Sequence, residues 1–310
     1  MQEKLLIQRI RRAAGAVAKR GKGIGDDCAV LELPRGHEAL ITTDFSLEGV
    51  HFRREWHPAD SVGHRCLARG LSDIAAMGGV PQAAFLSLAL PLELGQRWVD
   101  GFVAGFLKLA NRFSIKLTGG DSAQSPDGVL ADIVVLGSVP AGQAVLRSGA
   151  RPGHLVYVTG TLGSSVDTLN QLRDGRKLSP KAYPKHFYPE PRLAVGQYLR
   201  EKKLASAMID ISDGLSTDLG HICEESHTGA VVEADALPAI AGKEGLKLAL
   251  HGGEEYELLF TAPPNRRVPK KIVGIPITRI GETTRGRTMK VVLPNGKTEA
   301  LKPGGWQHFD

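Results

Sequence analysis

Apolar and polar residues alternate along the chain with two periods, one typical of helices and the other of strands. In "SVGHRCLARGLSDIAAMGG" the apolar residues follow helical spacing, and Gly78, Gly79 and Pro81 stop the pattern. A second helical pattern follows in "GQRWVDGFVAGFLKLANRF", and the opening "MQEKLLIQRIRRAAGAV" has the spacing of an amphipathic first helix. Strands are predicted at "CAVLEL", "EALITTDF", "QAAFLSLALP", "IKLTGGD" and "GVLADIVVLGSV". The first half of the chain is therefore predicted to form an α/β or α+β layer structure.

A turn-rich segment, "SGARPGHLVYVTG", leads into a new buried strand near the middle of the chain. It marks a predicted boundary between a first domain, residues 1–148, and a second domain, residues 149–310. The length of 310 residues also favours two domains. In the second domain helices are predicted at "SVDTLNQL", "LAVGQYLREKK" and "LSTDLGHICEES". Strands are predicted at "LVYVTG", "AMIDIS", "AVVEA", "YELLFTAP" with Glu254 and Glu255 at its start, "ITRIGET" and "MKVVLP".

The composition is that of an ordinary globular protein, with 42% apolar and 23% charged residues. No apolar run approaches the length of a bilayer-spanning helix, and the start lacks a secretory apolar region with a cleavage site. Cys28, Cys66 and Cys223 are far apart, and each has apolar neighbours in the sequence. We interpret them as reduced core thiols of a cytoplasmic protein that has no membrane partner.

The formal net charge is +6, but the basic residues are spread along the chain. The densest group, Arg266–Lys290, has no interleaved aromatic residues, which disfavours a nucleic-acid partner. This pattern predicts a solvated basic surface, with attraction of anionic substrates as the functional alternative.

Aspartates are the candidate chemical groups of this chain. Asp26 and Asp27 stand side by side in "GIGDDCAV". Two unit charges about 4 Å apart repel by about 4 kcal/mol at an effective dielectric constant of about 20, so such a pair indicates a cation or many hydrogen bonds nearby. Further aspartates are expected where a strand ends or a helix begins, or within an apolar helix: Asp44, Asp73, Asp121, Asp210 and Asp213. One alone is explained as a helix cap or turn residue, but together they favour a shared site, because strand ends in α/β folds converge on one crevice.

Oxygen ligands without histidine or cysteine at zinc spacing predict a hard cation, and magnesium is the expected ion. Magnesium held by carboxylates shares its remaining positions with substrate phosphates, which indicates nucleotide chemistry. The chain has neither a P-loop nor the set of protein-kinase motifs. The stretch "GKGIGDD" fails the dinucleotide pattern, because two carboxylates at that turn repel a pyrophosphate unless metal lies between them. A metal-bridged nucleotide is therefore favoured over NAD.

A set of longer strings runs in order over nearly the whole chain: "GIGDDCAV", "LSDIAAMGGVP", "LTGGDS", "RSGARPGHLVYVTGTLG", "YPEPRLAVG", "IDISDGLSTDLGHI", "GGEEYELLFT" and "GGWQHF". They resemble the thiamine-monophosphate kinase family. The resemblance implies the two-domain α+β fold of the aminoimidazole ribonucleotide synthetase superfamily. In that fold an N-terminal mixed α/β domain binds ATP and magnesium and dimerises through its sheet, and a C-terminal α/β domain completes the substrate site.

The same resemblance implies transfer of the γ-phosphoryl group of ATP to thiamine monophosphate, the last step of thiamine diphosphate biosynthesis. A homodimer with several magnesium ions, and often potassium, is implied as well. By position, the expected metal ligands are Asp27, Thr43, Asp44, Asp73, Asp121, Asp210 and Asp213. Residues expected near the nucleotide are Gly120, Asp121, Arg147 and Ser212, and those expected near the thiamine phosphate are His51, Glu254 and Trp306. Asp26 is expected to orient its loop or to bind a metal-bound water.

The chemistry fits this assignment. The acceptor is itself a phosphate with a second pKa of about 6, so its oxygen is largely ionised at neutral pH and no general base is needed. Magnesium ions in an acidic cleft neutralise two polyanions and align them for in-line attack. We therefore expect direct transfer, with no residue acting as covalent nucleophile or base.

Departures from the family pattern occur at Ser122, Gln124, Ser164 and Glu255, which stand where threonine, arginine, aspartate and aspartate are common. The stretch "DFSLEG" also stands where DTLVEG is frequent. None of these departures removes an expected metal ligand. Two alternatives are kept open, another ATP-dependent enzyme of the superfamily such as aminoimidazole ribonucleotide synthetase, and a metal-binding module without catalysis. The strings "EGVHF" and "GGEEYELLF" favour the thiamine branch over the first, and the glycines beside the acids disfavour the second.

Overall fold

The structure, a computed structural model, describes residues 3–14 and 31–307. The predictions for Asp26, Asp27 and Cys28 lie outside these residues and stay predictions. The chain forms two compact units. Unit 1 consists of Met1–Ile74, Val80–Gly142 and Lys177–Pro189, and unit 2 consists of Ala75–Gly79, Gln143–Arg176 and Glu190–Asp310.

Helices and strands are mixed along the chain, as the two periods predicted. The helices are α1 (Glu3–Ala13), α2 (Ala59–Ala76), α3 (Gln96–Arg112), α4 (Ser164–Arg173), α5 (Pro184–Phe187), α6 (Leu193–Glu201), α7 (Leu215–Glu225) and α8 (Gly245–His251). The strands are β1 (His37–Leu47), β2 (Val80–Pro91), β3 (Lys116–Ser125), β4 (Leu130–Pro140), β5 (Leu155–Thr159), β6 (Ala207–Asp210), β7 (Gly229–Glu233), β8 (Leu258–Ala262), β9 (Lys271–Ile272), β10 (Ile275–Thr284), β11 (Met289–Val292) and β12 (Thr298–Ala300). Among the described residues, no helix has both the length and the apolarity needed to cross a bilayer.

Some of the element predictions are wrong. Residues 31–33, the described part of the strand predicted at "CAVLEL", are not in a strand. The strand predicted to begin near Glu254 and Glu255 begins only at Leu258, because left-handed backbone conformations precede it. Asp44 and Asp121 lie inside β1 and β3 rather than at strand ends, since pairing with the neighbouring strands continues past both residues.

Unit 1 is built on a four-stranded sheet in the order β1-β4-β2-β3. Strand β4 is antiparallel to both neighbours, whereas β2 and β3 are parallel. The apolar residues Leu67 and Leu71 of α2 and Phe102 and Phe106 of α3 are fully buried, so the two helices supply the core of this unit. The sheet therefore has one face directed towards a helical layer.

The face of β1 that is turned away from the helices is exposed to solvent in the single chain. Residues alternate along this strand, with Leu40 and Ser46 buried and Ile41 and Phe45 exposed to 71% and 54%. Exposed apolar side chains at neighbouring positions on one edge strand mark a surface suited to association.

Unit 2 is built on a larger sheet in the order β12-β11-β7-β10-β5-β8-β6, with β9 paired to β10. Its strands pair antiparallel except for β7 and β11, which are parallel. One core cluster joins the central strands to α7, with Val156, Ile209, Leu215 and Leu219 almost fully buried. Strand β6 ends in this core at Asp210, so the residues that follow it emerge from the edge of a rigid sheet.

Candidate active site

The loop after β6 collects most of the residues that the sequence predicted in the second half of the chain. Asp210 ends the strand, and Ser212 and Asp213 follow before α7 begins. The backbone N–H of Glu254 donates to the carbonyl of Ser212 at 2.7 Å, and that of Trp306 donates to the carbonyl of Asp213 at 3.0 Å. Two distant chain segments are therefore hydrogen-bonded to the same short loop.

Two glycines allow these segments to approach so closely. A Cβ atom on Gly253 would lie 2.6 Å from the carbonyl oxygen of Ser212, and one on Gly305 would lie 2.2 Å from that of Asp213. Real side chains do not tolerate such distances, so the glycines before Glu254 and Trp306 are required by packing.

An unpredicted acid, Asp218, lies within the same loop region. Its Oδ2 accepts hydrogen bonds from the backbone N–H groups of Gly214 at 3.0 Å and Asp213 at 3.3 Å, so it caps the start of α7. Burial, together with the nearby charge of Asp213, raises the pKa of the Asp218 carboxyl to about 7. We name Asp210, Ser212, Asp213 and Asp218 the β6 acidic cluster.

Two members of the β6 acidic cluster form, together with His221, a geometry that can hold a divalent ion. One potential ligand atom from each of Asp213, Asp218 and His221 lies within 4.8 Å of the others. The two carboxylates suit magnesium, whereas the imidazole is a nitrogen donor that magnesium seldom uses. The spacing in "SDGLSTDLGH" was the available signal for the two added residues, but a capping aspartate has the same appearance in a sequence.

Arg147 is the exposed cation nearest to this cluster among the predicted residues. It begins a short 3₁₀ turn, and its carbonyl accepts a hydrogen bond from the hydroxyl of Ser226 at 2.7 Å. Its positive charge acts to lower the pKa of Asp218, against the larger effects of burial and of Asp213. Arg147, for which a phosphate contact is predicted, therefore lies close enough to the β6 acidic cluster to interact with the charge of Asp218.

In unit 1, Asp44 and Asp73 lie on the helix-covered side of the sheet. The hydroxyl of Thr42 donates to Asp73 of α2, and the guanidinium of Arg69 lies 3.8 Å from Asp44. The Asp44 side chain keeps 32% of its surface exposed, so it is open to a ligand. Each acid therefore contacts the other element: Asp73 of α2 contacts β1, and Asp44 of β1 lies near α2.

Thr43 and Asp121 lie on the other face of the sheet. The hydroxyl of Thr43 donates to Asp132 at 2.8 Å, and the strand register places Asp121, Ser87 and Asp132 in one row. Asp132 is an acid that the sequence prediction missed. Strands β1 and β3 are opposite edges of the sheet, so Asp44 and Asp121 are separated by three strand spacings, about 14 Å. Within one copy of unit 1 they do not ligate the same ion.

Two further predicted residues of unit 1 have defined roles in the local structure. Nδ1 of His51 accepts a hydrogen bond from the backbone N–H of Leu47 at 3.0 Å, so the imidazole is oriented by the turn that follows β1. Gly120 has a φ of 150°, and a Cβ atom there would lie 1.8 Å from the carbonyl oxygen of Leu86. Strand packing therefore requires a glycine here, independently of the predicted position of Gly120 near the nucleotide.

Among the departures from the family pattern, Glu255 has a defined structural role. Oε1 of Glu255 accepts hydrogen bonds from the backbone N–H groups of Gly163 and Ser165, both at 3.0 Å. The carboxylate thereby caps the N-terminus of α4, where a negative charge is favourable. Ser122 and Gln124 line a small pocket together with Leu6 of α1.

Two family models match the chain. The model for the AIR synthase related protein, N-terminal domain, matches residues 25–139, and that for the AIR synthase related protein, C-terminal domain, matches residues 151–294. Together they define the class of this chain as a two-domain AIR synthase related protein.

Curated relatives narrow this class. The thiamine-monophosphate kinase of Salmonella typhimurium is 38% identical to the chain over 303 residues, covering 93% of this chain and 91% of the relative. That of Bacillus subtilis is 33% identical over 303 residues and covers 93% of each. The chain therefore belongs to the thiamine-monophosphate kinase family, and the resemblance seen in its motifs is confirmed.

Solved structures agree with this placement. Thiamine-monophosphate kinase from Stenotrophomonas maltophilia matches with a TM-score of 0.82 at 35% identity, over 94% of this chain and 96% of that chain. AaThiL complexed with AMPPCP and TMP matches with a TM-score of 0.80 at 31% identity, over 100% of this chain and 99% of that chain. The predicted two-domain α+β fold is confirmed.

Proposed function

We propose that this chain phosphorylates thiamine monophosphate with ATP to give thiamine diphosphate and ADP. The observation that carries the proposal is the β6 acidic cluster, beside which Glu254 and Trp306 are held by backbone hydrogen bonds. The family of the chain supports the reaction, and AaThiL binds the ATP analogue AMPPCP together with TMP.

Magnesium is the cofactor that the donor set fits. The expected ligands are the carboxylates of Asp44, Asp73, Asp121, Asp210 and Asp213, with Asp27 and Thr43 as further candidates. Since Asp44 and Asp121 are about 14 Å apart in one unit, several ions rather than one are needed to engage them all. Bound magnesium supplies neutralisation of the phosphate charges, and potassium is a further candidate ion.

The remaining residues bind and orient the two substrates. Arg147 is exposed and donates to phosphate oxygens as a planar guanidinium. The imidazole of His51 and the carboxylate of Glu254 contact the thiamine phosphate, and the half-exposed Trp306 ring stacks on the cationic thiazolium or the pyrimidine. Because the acceptor oxygen is already ionised, transfer is direct and in line, without a phosphoenzyme.

One assay tests this function against its nearest rival. ADP release is measured with ATP and magnesium in the presence of thiamine monophosphate, thiamine or formylglycinamidine ribonucleotide. Of the three acceptors, only thiamine monophosphate is expected to be turned over. Turnover with the ribonucleotide instead would identify a different enzyme of the superfamily. A well-folded protein that turns over none of the acceptors would support the alternative of a metal-binding module without catalysis.

We also propose that the active form is a cytoplasmic homodimer. Support comes from the exposed apolar residues Ile41 and Phe45 on edge strand β1. Support for a reducing compartment comes from Cys66 and Cys223, which are buried free thiols.

A further inference from the structure

A buried ion pair lies at the end of the segment that carries Glu254. The guanidinium of Arg192 donates to both carboxylate oxygens of Glu257, from Nε at 2.7 Å and from a terminal nitrogen at 2.6 Å. The Glu257 side chain is fully buried and that of Arg192 is 11% exposed. Two parallel charge-assisted hydrogen bonds fix both the position and the orientation of a carboxylate.

The hydroxyl of Thr159 completes this arrangement. It donates to Oε2 of Glu257 at 2.5 Å and accepts a hydrogen bond from the backbone N–H of Leu258 at 2.8 Å. Thr159 ends β5, and Leu258 begins β8, so the carboxylate is attached to the rigid edge of the central sheet.

The backbone just before Glu257 adopts an unfavourable conformation. Glu254 and Tyr256 have φ values of 57° and 52°, in the left-handed region that residues with a side chain seldom occupy. Between them, Glu255 is held by its hydrogen bonds to the N-terminus of α4. The two strained residues thus alternate with two buried carboxylates that are each fixed by strong partners.

This strained backbone is the part of the segment that meets the β6 acidic cluster. The backbone N–H of Glu254 donates to the carbonyl of Ser212. The backbone N–H of Tyr256 donates to the carbonyl of Ile211 at 2.9 Å, and that of Ile211 donates to the backbone carbonyl of Glu257 at 2.8 Å. A shift of Glu257 would therefore be transmitted directly to the position of Glu254.

We propose that Arg192, Thr159 and Glu257 form a positioning unit that holds Glu254 in the conformation needed to bind the phosphate acceptor. The proposal rests on the proposed function, in which Glu254 contacts thiamine monophosphate. In this proposal the three residues act without direct contact with substrate. Their effect on the reaction is exerted through the backbone geometry of the segment from Gly252 to Glu257.

A matched pair of variants tests the positioning unit. Thr159→Val removes the hydroxyl at nearly constant volume, and Thr159→Ser keeps it. Thr159→Val is expected to raise KM for thiamine monophosphate about tenfold, with KM for ATP changed less than about twofold, whereas Thr159→Ser behaves as the wild type. Arg192→Lys keeps the charge but loses the bidentate geometry, so it should give the same selective rise in KM for thiamine monophosphate. This variant replaces Thr159→Val in the test if Thr159→Val does not fold.

Combining variants separates positioning from general destabilisation. Glu254→Gln removes the contact that is being positioned, so Thr159→Val should add little further to KM in the double variant. Equal rises in both KM values, or effects that multiply in the double variant, would overturn the proposal.

A measurement without substrate distinguishes this proposal from the proposed function. Hydrogen exchange at the amides of Glu254 and Tyr256 is expected to accelerate about tenfold in Thr159→Val, with no change in β11, which does not pair with β5. Unchanged exchange at these amides would reject the positioning unit even in an active kinase. A wild-type protein that does not turn over thiamine monophosphate would reject the proposed function, and with it the contact between Glu254 and the phosphate acceptor.

Discussion

The backbone N–H of Trp306 donates to the carbonyl of Asp213 at 3.0 Å, which attaches the end of the described chain to the acidic loop after β6. Trp306 as a whole residue is nevertheless 48% exposed. An aromatic ring that is anchored by its own backbone but left open to solvent is suited to stacking on a ligand.

Replacement of Trp306 should therefore affect binding more than folding. Trp306→Ala is expected to raise KM for thiamine monophosphate about tenfold, because stacking on a cationic ring contributes about 1–2 kcal/mol. Trp306→Phe keeps an aromatic face and should lose less. Steady-state kinetics and thermal denaturation check this prediction, and a large loss of thermal stability in Trp306→Ala would instead indicate a packing role.

Asp210 should be essential for turnover. Asp210→Asn changes volume very little but removes a carboxylate charge from the β6 acidic cluster, so kcat is expected to fall at least about 100-fold. The matched control is Asp174→Asn at an exposed position after α4. Near wild-type turnover in Asp210→Asn, with magnesium saturating, would contradict a metal-binding role for this cluster.

Gly253→Ala should disturb the substrate segment without adding or removing charge. The new Cβ atom would lie 2.6 Å from the carbonyl oxygen of Ser212, so the backbone before Glu254 has to move. We expect a destabilisation of about 1–3 kcal/mol and a raised KM for thiamine monophosphate. Gly95→Ala, at a glycine that has a φ of −67° and open space around the Cβ position, controls for the loss of a glycine. Equal kinetic effects in the two variants would argue against the close contact with Ser212.

His64 gives unit 1 a pH-dependent stability. Its Nε2–H donates to the carbonyl of Pro189 at 2.8 Å, and burial lowers the pKa of the imidazole below its usual value of 6.5. The folded state therefore binds the proton less readily than the unfolded state, and stability is lost as pH falls below the unfolded pKa. His64→Gln keeps a donor but does not titrate.

Urea denaturation at pH 8 and pH 5.5 checks this expectation. The wild type should lose more stability between the two pH values than His64→Gln, because only the wild type has the buried imidazole at this position. An identical pH dependence in the wild type and His64→Gln would show that His64 does not contribute.

The exposed face of β1 should determine the oligomeric state. Phe45→Asp places a charge on the patch that includes Ile41, and it is expected to convert the proposed dimer into monomers. Val273→Asp introduces the same charge at a residue of unit 2 that is 68% exposed, and it should remain dimeric. Light scattering coupled to size-exclusion chromatography measures both. Dimers of Phe45→Asp would place the interface elsewhere.

Periodic patterns predicted most elements correctly because burial of one face is a local property of a helix or strand. The same patterns did not reveal the left-handed residues Glu254 and Tyr256, so the start of β8 was placed too early. Local preference at these positions is overridden by the buried partners of Glu255 and Glu257, which are distant in sequence.

The acids illustrate the same division. Their types and the chain's family were evident from the motifs, but Asp218 and Asp132 were missed, because a helix cap or a strand aspartate carries no distinctive spacing. Adjacent residues also acquired different neighbours: Thr43 contacts Asp132 on one face of β1, while Asp44 lies near Arg69 on the other.

The motifs identified the family, and the periodic patterns predicted most helices and strands along with the carboxylates proposed as metal ligands. Which of these carboxylates are neighbours depends on the tertiary structure. Strand order β1-β4-β2-β3 is set by pairing between distant segments, and it separates Asp44 from Asp121 by the width of the sheet. The loop after β6, in contrast, brings Asp213 and Asp218 together with Glu254 and Trp306, because hydrogen bonds and close glycine contacts join segments that are far apart in the chain.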